Sequence, residues 1–191
     1  MQAVRFHGRG GQGAKTASRI LGTAAFLEGY QAQDSPIYGA ERRGAPVAAF
    51  TRIAKEPIRE RGMIARPDLV VIADASLIHD PTARMLDGID ERTAVFVNSS
   101  MTAEQLGAQT SLPGRLTTLD LTDIALQQVG KRSAISALLG AVAGRLVGLS
   151  QESIREAIAR ELADLGLAAS TIERNQAVSY THLTLPTTPY V

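Results

Sequence analysis

Short apolar segments alternate with helical patterns over the first two thirds of the chain. Helices are predicted at residues 16–29, whose apolar side chains recur at helical spacing before a glycine, and at residues 77–86. The stretch that leads to Asp34 is too short and too polar for a firm strand prediction. Apolar runs between these parts predict five strands, at residues 3–7, 47–53, 68–73, 93–97 and 116–121.

The alternation stops near residue 122, and the rest of the chain has a helical pattern. Residues 133–148 are rich in small side chains, which suits close helix packing. Ser150 is a predicted N-cap for a further helix that ends at Gly166. Strands alternating with helices predict an α/β fold, namely an open, mostly parallel, doubly wound (Rossmann-like) sheet with a helical C-terminal part.

The last fourteen residues, 178–191, differ in composition from the helix pattern before them. They hold two of the four tyrosines, four threonines and two prolines, and they resemble a translated sequencing-adapter tail. We therefore expect residues 1–177 to form a single domain and residues 178–191 to be a non-native or disordered tail.

Composition narrows the classes of function. The formal net charge is +1, so electrostatics give no case for nucleic acid or a membrane surface as partner. No apolar run is long enough to span a bilayer, and the chain starts with a strand pattern that leaves no room for a signal peptide, so we expect a cytoplasmic protein. Cysteine is absent, which excludes thiolate catalysis and cysteine-ligated iron–sulfur clusters or zinc on this chain. The three histidines, His7, His79 and His182, have no metal-ligand spacing.

Polar residues follow several predicted strands where each strand ends. The carboxyl ends of parallel strands share one edge of a sheet, where ligands bind in doubly wound folds. We therefore predict a site at that edge, formed by residues 8–13, Asp34, Asp74, Asn98 and Ser99.

The glycine-rich loop GRGGQG, residues 8–13, matches the pattern G-x-G-x-x-G between a strand and a helix. Asp34 follows at about the distance of the ribose-binding acid in dinucleotide folds. The loop by itself leaves three interpretations open, namely nucleotide binding, a structural glycine turn, or another close contact.

The loop GRGGQG, followed by YGAERRGAP at 38–46, resembles the gamma subunit or gamma domain of the 2-oxoacid:ferredoxin oxidoreductases. The stretches PIRERGMIARPDLVVIAD, 57–74, and VNSS, 97–100, continue this resemblance, which extends to about residue 177. The form ERRGAP is closer to the enzymes of pyruvate and branched-chain 2-oxoacids. The resemblance implies a subunit that is inactive alone, in a complex that oxidatively decarboxylates its 2-oxoacid to an acyl-coenzyme A.

The resemblance also implies cofactors and partners. Thiamine diphosphate, Mg²⁺ and iron–sulfur clusters would be held by alpha, beta and ferredoxin-like delta subunits and none by this chain, with ferredoxin as electron acceptor. This chain has neither cysteines for clusters nor a Gly-Asp-Gly stretch for the diphosphate's metal. This chain would contribute to a coenzyme A site that it shares with other subunits, and it would carry no catalytic or metal-binding residue. The implied cofactor-binding residues are Gly8, Arg9, Gly10, Gly11, Gln12, Gly13, Tyr38, Gly39, Glu41, Arg42, Arg43 and Asn98.

Several of these residues have a structural interpretation as well. Arg42 and Arg43 suit inter-subunit ion pairs, and Tyr38 suits an interface, as readily as they suit a ligand. Gln12 and Asn98 are equally suited to bonding nearby backbone. Two other functions stay open, an NAD(P)-binding Rossmann-type dehydrogenase and a non-catalytic nucleotide-binding or assembly module.

Overall fold

One six-stranded sheet organises the part of the chain that the computed structural model describes, residues 1–36, 44–112, 114–130 and 134–181. Its strands are β1 (Gln2–Arg9), β2 (Gln31–Pro36), β3 (Pro46–Ala54), β4 (Leu69–Ile72), β5 (Ala94–Asn98) and β6 (Arg115–Leu119). They lie in the order β2-β3-β1-β4-β5-β6. The predicted α/β class is confirmed, and all five predicted strands are present.

The sheet is mixed in strand direction. β1, β4, β5 and β6 are parallel neighbours, whereas β3 runs antiparallel to both β1 and β2. The register places Phe6 of β1 opposite Val71 of β4 and Ala49 of β3. Residues 31–36 form a strand despite their polarity because β2 is an edge strand whose side chains are mostly exposed or half-buried.

Six α-helices complete the described fold: α1 (Ala14–Leu27), α2 (Ala103–Gln109), α3 (Leu121–Ile124), α4 (Ile135–Leu146), α5 (Gln151–Asp164) and α6 (Ala169–Thr181). α3 continues into a π-helical turn at Ala125–Val129. The predicted N-cap is confirmed, since the Ser150 hydroxyl accepts from the Ser153 amide at 3.2 Å. Gly29 and Gly166 follow α1 and α5 with positive φ, as helix-ending glycines do.

The main core lies between one face of the sheet and the helices α1, α4 and α5. Val4 and Phe6 of β1 point to this face and are fully buried with Ile20 of α1. A Cβ atom on Gly140 of α4 would lie 2.9 Å from the Cβ of Ile20, so glycine is what allows α1 and α4 to approach this closely.

The opposite face of the sheet carries Arg5 and His7, which alternate along β1 with the core residues. Loop residues 62–64 and two 3₁₀ helices, Ala75–His79 and Pro81–Ala83, lie on this side. The prediction of one helix at 77–86 was wrong. Pro81 has no amide hydrogen to donate within a continuous helix. Asp80 instead caps a new turn by accepting from the Thr82 amide.

Helix α6 continues four residues past the predicted domain boundary at residue 177. Val178 is 5% exposed and belongs to the main core. The rest of the predicted tail, residues 182–191, lies outside the described residues, so the prediction that the tail is non-native stays a prediction.

Candidate functional site

The glycine loop joins β1 to α1 at the carboxyl edge of the sheet, as predicted. Gly11 and Gly13 have φ of 96° and 78°, in the left-handed region that favours glycine. They differ in their surroundings. A Cβ on Gly13 would meet the Cβ of Ser136 in α4 at 2.4 Å, whereas a Cβ on Gly11 would have no described atom within 4 Å. Gly13 therefore serves the packing of α1 on α4, and Gly11 leaves open space beside the loop.

Gly10 is bonded to the chain that leads into β3. Its amide donates to the Ala45 carbonyl at 2.8 Å, and its carbonyl accepts from the Gly44 amide at 3.3 Å. The two motifs of the sequence therefore adjoin, because residues 44 and 45 belong to the second motif. The predicted site residues Tyr38, Gly39, Glu41, Arg42 and Arg43 lie outside the described residues.

Arg9 bridges the loop after β1 to the loop after β4. Its Nε lies 3.4 Å from Asp74 Oδ2, its Nη1 lies 3.8 Å from Asp80 Oδ2, and its Nη2 donates to Ser76 Oγ at 2.8 Å. Two carboxylates of this chain thus partly neutralise the positive charge of Arg9. An incoming anion would have to compete with them for the guanidinium.

Gln12 lies between the same two loops. Its Oε1 accepts from the Arg9 amide at 2.7 Å, and its Nε2 donates to Asp74 Oδ2 at 2.9 Å. Burial acts to raise the pKa of Asp74, but hydrogen bonds from Ser76 and Gln12 and the charge of Arg9 outweigh it and hold that pKa below its ordinary value. Asp74 is therefore an anion at neutral pH.

Asn98 closes β5 and uses its whole side chain within the fold. Its Nδ2 donates to the Ala73 carbonyl and to Thr122 Oγ1, both at 3.0 Å, and its Oδ1 accepts from the Leu121 amide at 2.8 Å. These bonds hold together the ends of β4 and β5 and the start of α3. Asn98 therefore stabilises the fold, and it also lines the cleft described next.

A cleft of about 1070 Å³ opens beside these residues, and we call it the carboxyl-edge cleft. The N-terminus of α1 faces it through Gly13 and Thr16. Within the described residues no side chain caps α1, and its first turn contains no acidic residue. Backbone amides at such a helix end attract an anion. Sequence reasoning missed several wall residues that no motif marks and that come from distant elements, namely Thr16, Asp120, Thr122, Leu162, Leu167 and Thr171.

Asp34 lies away from this cleft, contrary to prediction. It pairs with Thr51 of β3, which in turn pairs with Val4 of β1, so β3 separates Asp34 from the glycine loop's strand. Two strand spacings amount to about 10 Å, and Val4 is four residues before the loop. Asp34 is therefore not placed where a dinucleotide's ribose would need an acid, which counts against the dehydrogenase alternative as the sequence suggested it.

Membrane and metal binding find no support in the described part of the chain. No helix there is long and apolar enough to cross a membrane. No group of three or more histidine, aspartate or glutamate side chains there is arranged to hold a metal ion.

Comparison with known proteins gives consistent matches. A family model described as pyruvate ferredoxin/flavodoxin oxidoreductase matches residues 3–179. The common subunit gamma of the pyruvate/ketoisovalerate oxidoreductases of Pyrococcus furiosus is 48% identical over 161 residues, which cover 83% of this chain and 85% of the relative. The pyruvate synthase subunit PorC of Methanosarcina barkeri is 41% identical over 158 residues, with the same coverage of both chains.

A solved structure extends these matches to the fold. The pyruvate oxidoreductase subunit PORC of Thermotoga maritima superposes with a TM-score of 0.77 at 31% identity. The superposition covers 94% of this chain and 93% of that subunit. The chain therefore spans nearly the full length of the proteins it matches.

Proposed function

Because the chain belongs to the pyruvate ferredoxin/flavodoxin oxidoreductase family, we propose that it is the gamma subunit of a 2-oxoacid:ferredoxin oxidoreductase of the cytoplasm. Pyruvate or a branched-chain 2-oxoacid is the substrate. The assembled complex releases CO₂, transfers the acyl group to coenzyme A and passes the electrons to ferredoxin. The names of the relatives, which act on pyruvate and ketoisovalerate, support this substrate class.

The chemistry of decarboxylation and electron transfer belongs to companion alpha, beta and delta subunits in this proposal. The sequence has no cysteine, so this chain does not fit an iron–sulfur cluster. It also has no Gly-Asp-Gly stretch to hold the metal of thiamine diphosphate. This chain supplies binding surface, and its substrate-facing groups are binding groups rather than acid–base catalysts.

The carboxyl-edge cleft is the proposed contribution to the coenzyme A site. The single observation that carries this assignment is the N-terminus of α1, which no side chain of the described residues caps and which opens into a cleft of about 1070 Å³. A phosphate of coenzyme A would accept from backbone amides at that helix end, beside the open space at Gly11. The wall formed by Leu162, Leu165 and Leu167 is apolar and suits the pantetheine arm.

The function is tested by assembling the full chain anaerobically with its companion subunits and measuring viologen reduction. Pyruvate and 2-oxoisovalerate are compared, each with and without coenzyme A. We expect a stable complex whose reduction of viologen depends on coenzyme A, and the two rates rank the substrates. A chain that binds no companion subunit but binds NADH would overturn the proposal in favour of the dehydrogenase alternative.

A further inference from the structure

A second cavity lies on the sheet face that is opposite the main core. It encloses about 530 Å³, a volume within the range of small-ligand sites. We call it the back-face cavity. Its walls come from β1, β3, the loop at residues 63–65 and the second 3₁₀ helix with the residues after it, and they include Arg5, His7, Val47, Phe50, Ile64 and Ala83.

Two residues of β1 in this wall carry buried polar atoms without partners. His7 and Arg5 are each 4% exposed, and both line the cavity. His7 Nε2 and Arg5 Nε are enclosed, and neither has a hydrogen-bond partner anywhere in the described chain. An unpaired buried polar group is costly, so folds rarely keep two of them in the residues of one cavity wall without a use.

Arg5 keeps a positive charge at this place without a carboxylate partner. Its Nη1 donates to the Asp87 carbonyl at 2.6 Å, and its Nη2 donates to the Met85 carbonyl at 2.5 Å. No carboxylate among the described residues lies within ion-pair distance of Arg5. The nearby carboxylate of Asp87 is engaged instead by Arg84, at 2.7 Å from Nη2. The cavity wall thus holds a buried cation with one donor left over.

Most of the rest of the wall is apolar, although Thr82 and the ion-paired Arg84 and Asp87 also line it. Phe50 and Ile64 are 3% and 4% exposed and form a small cluster with Ala3, against which Ala48 packs. In the sheet register Phe50 lies opposite Arg5, and Ala48 lies opposite His7. The cation and the imidazole therefore border an apolar space, which suits a molecule with one polar end and a hydrocarbon body.

We propose that the back-face cavity is a binding site for a short aliphatic monocarboxylate, whose carboxylate accepts from Arg5 Nε and His7 Nε2 and whose hydrocarbon chain lies against Phe50 and Ile64. This inference goes beyond the proposed function and does not rest on it. A carboxylate accepts from both unpaired groups and brings a negative charge to Arg5, which has no direct ion-pair partner among the described residues, whereas a neutral amide or alcohol brings no charge. The imidazole is neutral at physiological pH, because burial and the charge of Arg5 lower its pKa to about 3, so it can present an N–H at Nε2 without adding charge.

The site is separate from the carboxyl-edge cleft. That cleft is lined by Gly11, Asp74 and residues of α5 and α6, whereas the back-face cavity has none of these in its wall. Failure of a carboxylate to bind would thus leave the coenzyme A assignment untouched, and the reverse holds as well.

Calorimetric titration of the full chain with hexanoate tests the proposal, with hexanamide as the neutral probe of the same shape. His7→Leu removes one polar group, and Ala48→Leu fills the cavity from β3. Arg5 is left in place because it holds the covering loops through their carbonyls. Ala108→Leu, on the exposed surface of α2, is the matched control for added volume.

We expect saturable hexanoate binding that is weakened at least about tenfold in His7→Leu and in Ala48→Leu and unchanged in Ala108→Leu. Hexanamide should bind at least about tenfold more weakly than hexanoate. Absence of hexanoate binding up to about 10 mM, equal binding of the amide, or binding that survives either cavity variant would overturn the proposal. His7→Leu should keep or raise the melting temperature, which excludes unfolding as the reason for lost binding.

Discussion

The amide Nε2 of Gln12 donates to Oδ2 of Asp74 at 2.9 Å and thereby ties the glycine loop to the end of β4. The other end of the same amide accepts from the Arg9 backbone at 2.7 Å. One side chain therefore fixes the shape of the loop and its position against the neighbouring strand. The sequence allowed both a ligand-binding and a structural interpretation of Gln12. The hydrogen bonds of Gln12 support the structural interpretation. Its role in binding a cofactor stays a prediction.

Gln12→Ala should lower the free energy of unfolding by about 1–3 kcal/mol, because it removes two hydrogen bonds, one of them to a carboxylate. Urea unfolding of the full chain measures this change. Gln109→Ala at the exposed end of α2 is the control and should change stability by less than about 0.5 kcal/mol. Equal effects of the two substitutions would contradict a specific role for Gln12.

Gly13→Ala and Gly11→Ala should differ in cost although both residues have positive φ. The alanine at 13 meets Ser136 Cβ at 2.4 Å in addition to the backbone strain, so we expect a loss of about 3–5 kcal/mol. The alanine at 11 meets open space and should cost only the strain, about 1–2 kcal/mol. Thermal unfolding of both variants decides this, and a Gly11 variant as unstable as the Gly13 variant would refute the distinct roles.

His7 should make stability fall as the pH is lowered. Burial, helped by the charge of Arg5 and opposed by Asp87, lowers the pKa of His7 from 6.5 to about 3. Between these values the unfolded chain binds a proton that the folded chain does not, so unfolding becomes easier toward acid pH.

The His7→Leu variant lacks this proton uptake. Its stability relative to the natural chain should therefore rise by about 2 kcal/mol between pH 7 and pH 5. Urea unfolding at several pH values measures the difference, with His79→Gln as the matched control at an exposed histidine. Parallel stability curves for the natural chain and His7→Leu would mean that His7 is not held neutral.

Two truncations test the C-terminal boundary. A chain that ends at Thr181 should melt like the full chain, as expected from the foreign composition of the tail. A chain that ends at Ala177 also loses Val178, which is 5% exposed in the core, and should lose about 1.5–3 kcal/mol. Differential scanning calorimetry compares the two. A large loss on removing residues 182–191 alone would show that the tail belongs to the native fold.

The parts of the fold that the sequence predicted are those with a local physical signal. An apolar run that meets glycines predicted β1, its loop and α1, and apolar runs without polar interruption predicted β4 and β5. The Ser150 cap was predicted because a hydroxyl before a helical pattern satisfies a free amide.

The position of β3 had no such signal. Alternating hydrophobicity shows which face of a strand is buried but not which strand lies beside it, so the placement of β3 between β1 and β2 could not be predicted. Arg5 and the cavity beside it were missed for a related reason, since a charged residue ordinarily indicates an exposed position. The cleft wall from α5 and α6 comes from residues distant in sequence that carry no motif.

The most direct test of the central claim is the KM for coenzyme A of the assembled complex carrying Thr16→Glu. Thr16 is in the first turn of α1 and lines the carboxyl-edge cleft. A carboxylate there favours the helix dipole, so the fold should keep its stability, but it repels a phosphate at the same amides. Thr16→Gln supplies the same shape without the charge.

We predict that Thr16→Glu raises the KM for coenzyme A at least about fivefold, while Thr16→Gln and the KM for the 2-oxoacid change little. An increase in the KM for coenzyme A alone would assign the cleft to coenzyme A, since a general structural defect would change the KM for both substrates. An unchanged KM for coenzyme A in the Thr16→Glu complex would contradict the account and move coenzyme A binding away from the glycine loop.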